Sequence, residues 1–191
     1  MNDERARLFV ALELPEEVRA AIVRWCASGL GGELAVALAP VAAESLHVTL
    51  CFLGAVPVGS VGAIGDACAT AVAGEGSDLP PLALGEPVWL PPRRPRVLGV
   101  MVSDPSLALA RVQAALSRVL VDGGWYRPEE RPFLAHVTVA RAGRGEHVRA
   151  VPLPAPPAMG FEGERVTLFR SRLGAGGARY EPLRVVALLR H

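Results

Sequence analysis

Two short segments of this 191-residue chain repeat one chemical pattern: His47-Val48-Thr49-Leu50 and His136-Val137-Thr138-Val139. Each reads as a β-strand, and side chains two apart on a strand share a face. His47 therefore lies beside Thr49 and His136 beside Thr138, with valine on the opposite face. An imidazole titrates near pH 6.5, so of two facing each other one can be neutral and the other protonated at the same pH. The neutral ring takes a proton from water and the protonated ring gives one to a departing alkoxide, each transfer contributing roughly 10²–10⁴-fold. Threonine hydroxyls beside them donate hydrogen bonds to non-bridging phosphate oxygens. A phosphate ester activated by ring strain needs no metal for this chemistry, and no metal-ligand cluster stands out.

The two histidines are 136 − 47 = 89 positions apart, and the same interval separates Leu8 from Val97, where two further strands begin. Strand, proline-flanked helix start, helix, loop and His-x-Thr strand follow in the same order twice. An internal repeat of this length implies two lobes, roughly 5–90 and 95–191, related by a pseudo-two-fold axis. Such an axis sets the two His-x-Thr strands across a shared groove.

The elements that position the motifs follow from periodicity and punctuation. Arg7–Leu14 is a strand ended by Pro15, and Pro15-Glu16-Glu17 opens a helix with Val18, Ile22, Trp25 and Cys26 on one face until Gly29. Residues 57–74 form a second helix, Leu82–Leu90 a strand, and Pro91–Arg96 a turn. Val97–Val102 is the repeat's second opening strand. Asp104 then caps a helix carrying Leu107, Leu116 and Leu120 and ended by Gly123 and Gly124. After the His136 strand, prolines 152, 154, 156 and 157 mark an irregular crossing. Strands Gly160–Arg170 and Tyr180–Leu189 close the chain around glycines 174, 176 and 177.

Composition bounds the answer. Apolar residues make up 51% and the formal net charge is +1, as in a soluble globular protein rather than one that coats nucleic acid. Three cysteines without C-x-x-C spacing, a polar start and no long apolar run predict reduced thiols, a cytoplasmic location and no membrane span. All 20 cationic side chains are arginine.

Other residues invite a function and read more plainly as structure. Cys51 alternates onto the His47 face and so borders the groove, as a small apolar thiol rather than a nucleophile. His147 and His191 lack matching neighbours and read as surface residues. Trp25 fits a helix core face, while Trp89, Trp125 and Tyr126 are stacking candidates that read as packing. The Arg93-Arg94-Pro95-Arg96 turn reads as a solvated tip. Arg141, five residues past His136, faces away from the groove on an unbroken strand and reaches phosphate only if the strand bends.

These motifs resemble the two-histidine phosphoesterases, in particular the RNA 2′,3′-cyclic phosphodiesterases, also called 2′-5′ RNA ligases. The likeness rests on Arg7–Leu12, on Leu46–Leu50 with Phe52-Leu53-Gly54, on Arg131-Pro132-Phe133 leading into His136–Arg141, and on Leu168–Ser171 with Gly177–Leu183. It departs from the family pattern at Cys51 and Ala135. The resemblance implies an α+β, bilobal fold with two antiparallel sheets facing a central groove and helices outside. It implies opening of 2′,3′-cyclic phosphates on RNA ends or small nucleotides to 2′-phosphomonoesters; no cofactor is expected, and without coiled-coil heptads a monomer is the default. By the same resemblance His47 is the proton donor, His136 the acceptor that activates water, and Thr49 and Thr138 the phosphate ligands. A binding module without turnover and ATP-independent 2′-5′ joining are the competing readings.

Overall fold

A computed structural model describes residues 4–75, 79–143, 145–174 and 177–188. The chain runs β1 (Arg5–Glu13), α1 (Glu16–Gly29), α2 (Glu33–Ala37), β2 (Leu38–Pro40), β3 (His47–Pro57), α3 (Val61–Glu75), β4 (Leu82–Leu90), β5 (Val97–Ser103), α4 (Ala108–Asp122), β6 (His136–Ala142), β7 (Gly160–Phe161), β8 (Arg165–Gly174) and β9 (Gly177–Ala187). This is the expected α+β architecture. α2 and β2 carry no periodic signal because the first is under two turns long and the second only three residues. The expected strand Gly160–Arg170 is split. Gly163 crosses so close to Leu12 that a Cβ there would lie 2.9 Å from its Cδ1, and the chain changes sheet neighbours at that point.

Every strand pair is antiparallel, in the order β7-β4-β5-β6-β3-β1-β8-β9, with β2 on β6. The two expected sheets meet at one bridge, Val48 opposite Val137. These partners are the repeat-equivalent valines of the two motifs, so the bridge has the local symmetry of a two-fold axis. Strand pairing crosses residues 90–95. β4 joins β5 and β6, while β8 and β9 return to β1. Hairpin pairing of sequence neighbours decides the first placement: β4 and β5 are joined by a short turn.

One face of the sheet is apolar and covered by helices. Ala6, Leu8, Val10 and Leu12 of β1 join Val48, Leu50, Val137 and Val139 in one buried cluster. α1 adds Val18, Ile22 and Trp25; α3 adds Ile64, Cys68 and Val72; α4 adds Leu109, Val112, Leu116 and Leu120. Each large apolar side chain of this kind contributes about 1.5–3 kcal/mol on burial. The helices cross the central bridge, α4 packing on β3 and α1 on β6, so each half of the repeat braces the other.

α4 starts later than the expected cap. Leu107 precedes it with a left-handed φ of 56° and gives no side-chain cap. Asp104 reaches over it instead: its Oδ1 accepts from the Ala108 amide at 3.1 Å and its Oδ2 from the Ala110 amide at 3.1 Å. Asp104→Ala strands the Ala110 donor, leaves the Ala108 amide only the Ser106 hydroxyl at 3.3 Å, and is expected to cost about 1 kcal/mol of stability, read as a lowered urea midpoint with unchanged m-value.

Candidate active site

The antiparallel bridge at Val48–Val137 places position 47 against 138 and position 49 against 136. His47, Thr138, Thr49 and His136 thus form a cross-strand quartet on the face away from the helices, all four half-buried. The two rings are held alike. His47 Nδ1 donates to the Ser45 carbonyl at 2.7 Å, and His136 Nδ1 donates to the Leu134 carbonyl at 2.7 Å. An acceptor at Nδ1 assigns the proton to that nitrogen and leaves each Nε2 for the groove. His47 Nε2 accepts from the Thr49 hydroxyl at 3.0 Å.

Two β-bulges shape the rest. Along β3, Val10 faces Cys51 and Ala11 faces Thr49, so Leu50 is the extra residue. Along β6, Leu98 faces Ala140 and Gly99 faces Thr138, so Val139 is extra. Leu50 and Val139 are themselves repeat equivalents. Each bulge turns two successive side chains to the core and reverses the alternation beyond it. Cys51 is consequently buried and off the groove, a correction to the expected alternation. Burial pushes its thiol up to about 12, which leaves it protonated and inert. Phe52, which strict alternation from Val48 would set on the core face, instead opens onto the groove with 43% exposure. Arg141 is swung onto the groove as well, satisfying the bend that the sequence required of it, and lines a cavity with His47 and Thr49.

Further groove residues carried no isolated signal. Phe9 packs 4.9 Å from the His47 ring, and Tyr180 meets both, edge-on, at 4.8 Å from Phe9 and 5.3 Å from His47. Only pairing of β1 with β8, and of β8 with β9, brings Tyr180 there. Gly99 lies under the second histidine: a Cβ at that position would lie 3.2 Å from His136 Cδ2. Tyr126 lines the second cavity, beside His136, with Phe52, Phe133 and Leu134.

No family model matches the chain. The RNA 2′,3′-cyclic phosphodiesterase of Escherichia coli strain K12 is 33% identical over 189 residues, 97% of this chain and 98% of that protein. The chain belongs to the RNA 2′,3′-cyclic phosphodiesterase family. Crystal structures agree. E. coli LigT complexed with NADP+ superposes with a TM-score of 0.80 at 30% identity, over 98% of this chain and 99% of that one. TT0787 of Thermus thermophilus does so with 0.77 at 26% identity, over 97% and 100%.

In this cyclic phosphodiesterase family member the remaining candidates fall outside the quartet. Trp25 is buried, its Nε1 donating to the Pro154 carbonyl at 3.0 Å, and Trp89 Nε1 donates to the Val151 carbonyl at 2.9 Å. Trp125 packs over Gly123. His147 is exposed, and His191 lies outside the described residues. Arg93 and Arg94 are exposed, but Arg96 ties the strand to the following loop, donating to the Glu146 and Gly143 carbonyls at 2.7 and 3.0 Å. Among the described residues no three His, Cys, Asp or Glu side chains converge as a metal site, and no helix is long and apolar enough to cross a membrane.

Burial above all, then the Arg141 guanidinium and His136, lower the His47 pKa from 6.5 to about 4, against the raising effect of its bond to Ser45. Between those values the unfolded chain binds the proton and the folded one does not, so His47's contribution to stability is complete above pH 6.5 and is lost as pH falls toward 4. His47→Gln is expected to flatten the fall in unfolding free energy across that window relative to wild type. Unfolding free energies that fall in parallel for the two proteins from about pH 7 to 4 would contradict this.

Proposed function

We propose that this protein hydrolyses 2′,3′-cyclic phosphates at RNA ends or on small nucleotides to 2′-phosphomonoesters, by metal-independent acid–base catalysis at His47 and His136. The observation that supports the reading is the cross-strand quartet, in which each imidazole is held through Nδ1 and the two rings border adjoining cavities that share Thr49 and Phe52. E. coli LigT has been crystallised with 3′-AMP and with phosphate, ligands of the size and charge such a groove would hold.

In the proposed step a water oxygen bonds to phosphorus as the P–O3′ bond breaks. His136 Nε2 takes the water proton and His47 Nε2 gives its proton to O3′, leaving the phosphate on O2′ and a free 3′ hydroxyl. Thr49, Thr138 and Arg141 hold the non-bridging oxygens, on which the transition-state charge concentrates. This order requires a protonated His47, whereas burial, with Arg141 and His136 nearby, holds its pKa down at about 4. A bound phosphate offsets the repulsion of Arg141 and His136, and so draws a proton onto His47 as it binds.

Four measurements test this. In excess EDTA the protein is expected to open nucleoside 2′,3′-cyclic phosphates, yielding the 2′-phosphate, with a bell-shaped pH profile. His47→Ala and His136→Ala each lose about 10²–10⁴-fold in kcat with the fold intact by circular dichroism. Tight binding of a 2′-nucleotide without turnover of any cyclic substrate would make the groove a binding module instead. Calorimetry of a 2′-nucleotide at about pH 7 in buffers of different ionisation enthalpy is expected to register net proton uptake; its absence would overturn the proton drawn onto His47 by the bound phosphate.

A further inference from the structure

The quartet does not account for the second row of the groove. In β1, Arg7 lies opposite Ala55 of β3. The β1–β8 register continues from Leu8–Arg170 to set Arg7 beside Ser171, which in turn faces Tyr180 on β9. One guanidinium and two hydroxyl-bearing side chains therefore run side by side across three strands. All three line a cavity of about 510 Å³ that also holds His47, Thr49 and Arg141 and has no acidic residue among the described residues of its lining. The Arg7 guanidinium lies 5.0 Å from the centroid of the Phe52 ring, which the Leu50 bulge has turned to this face. No ion pair joins Arg7 to a carboxylate among the described residues, although Arg165, Arg170, Arg172 and Arg184 on the neighbouring hairpin each have one.

Position along the strand separates this row from the reacting centre. Phe9 packs against the His47 ring, and Arg7 is two residues further on, about 7 Å along β1. Arg141 already faces His47, so the reacting phosphate has its own cation. A second guanidinium beside serine and tyrosine hydroxyls suits a second phosphate, since arginine and hydroxyl donors match its oxygens. On a nucleotide bearing a 2′,3′-cyclic phosphate, the next phosphate is on the 5′ oxygen of the same ribose.

We propose that Arg7, supported by Ser171 and Tyr180 and carried on the Phe52 ring, binds the 5′-phosphate of the terminal nucleotide, so that the preferred substrates are 5′-phosphorylated nucleotides or oligonucleotides rather than nucleoside cyclic phosphates. This rests on the proposed cyclic phosphodiesterase activity and specifies its substrate class. Arg7 is a specificity residue, not part of the proton transfer.

The test compares three substrates: a nucleoside 2′,3′-cyclic phosphate, its 5′-phosphorylated form, and a dinucleotide ending in the cyclic phosphate. Wild type is expected to favour the 5′-phosphorylated form at least tenfold in kcat/KM, mainly through KM. Arg7→Gln abolishes that preference and leaves turnover of the nucleoside substrate within about twofold, which also reports an intact fold, and Arg7→Lys restores part of it. A dinucleotide that matches the 5′-phosphorylated mononucleotide assigns the site to any 5′ phosphate, and a better one assigns it to an RNA strand. Equal kcat/KM for the first two substrates in wild type, or a preference that survives Arg7→Gln, overturns the proposal. If none is hydrolysed, the proposed activity fails separately. The subsite is then read by calorimetry with nucleoside 2′,5′-bisphosphate against nucleoside 2′-phosphate, where equal affinities overturn it.

Discussion

The structure depends on a single backbone bridge, Val48 opposite Val137. Antiparallel pairing between equivalent residues of a duplicated segment can occur only about a local two-fold, and that symmetry decides what lies beside what. Each histidine is set against the threonine of the other copy, so neither half of the chain contains a complete site. The two valines are wholly buried, and helices from both copies pack beneath them, which keeps a short junction from slipping by a residue. A slip of one position would send every quartet side chain into the core.

From that symmetric start the groove is made asymmetric by the residues after each motif. Matching bulges at Leu50 and Val139 rotate the next positions onto the groove, but the residues delivered differ: phenylalanine at 52, arginine at 141. The cation therefore falls in the cavity of His47, and the aromatic ring lies where the cavities of the two histidines meet. The β8–β9 hairpin adds to the imbalance, since Tyr180 and Phe169 surround Phe9 on the His47 side only. Two chemically identical imidazoles thus have different surroundings, and burial with the nearby Arg141 holds the His47 pKa down at about 4.

Most of the secondary structure was legible because long elements carry strong periodicity. α1 begins and ends where Pro15 and Gly29 punctuate it, and β4 spans Leu82–Leu90 as the pattern implied. Short pieces were not legible: α2 and β2 are too brief for a repeat to show, and β7 is defined only by its pairing with β4. Strand placement was not legible for a related reason. Duplication in sequence does not dictate which half of a sheet an added strand joins, and β4, β8 and β9 sit where pairing partners are available.

What the sequence by itself determined is the set of reactive groups: two His-x-Thr strands at a constant interval, each with its valine turned inward. Side-chain type and strand parity are local properties, so they can be read from the chain alone. Tertiary structure decided the surroundings. A bulge changes parity only where a partner strand is one residue shorter, so the burial of Cys51 and the exposure of Phe52 and Arg141 depend on β1 and β5. Arg7, Ser171 and Tyr180 form a row only because strands far apart in sequence pair in a particular register, and register is a relation between strands that no single segment contains.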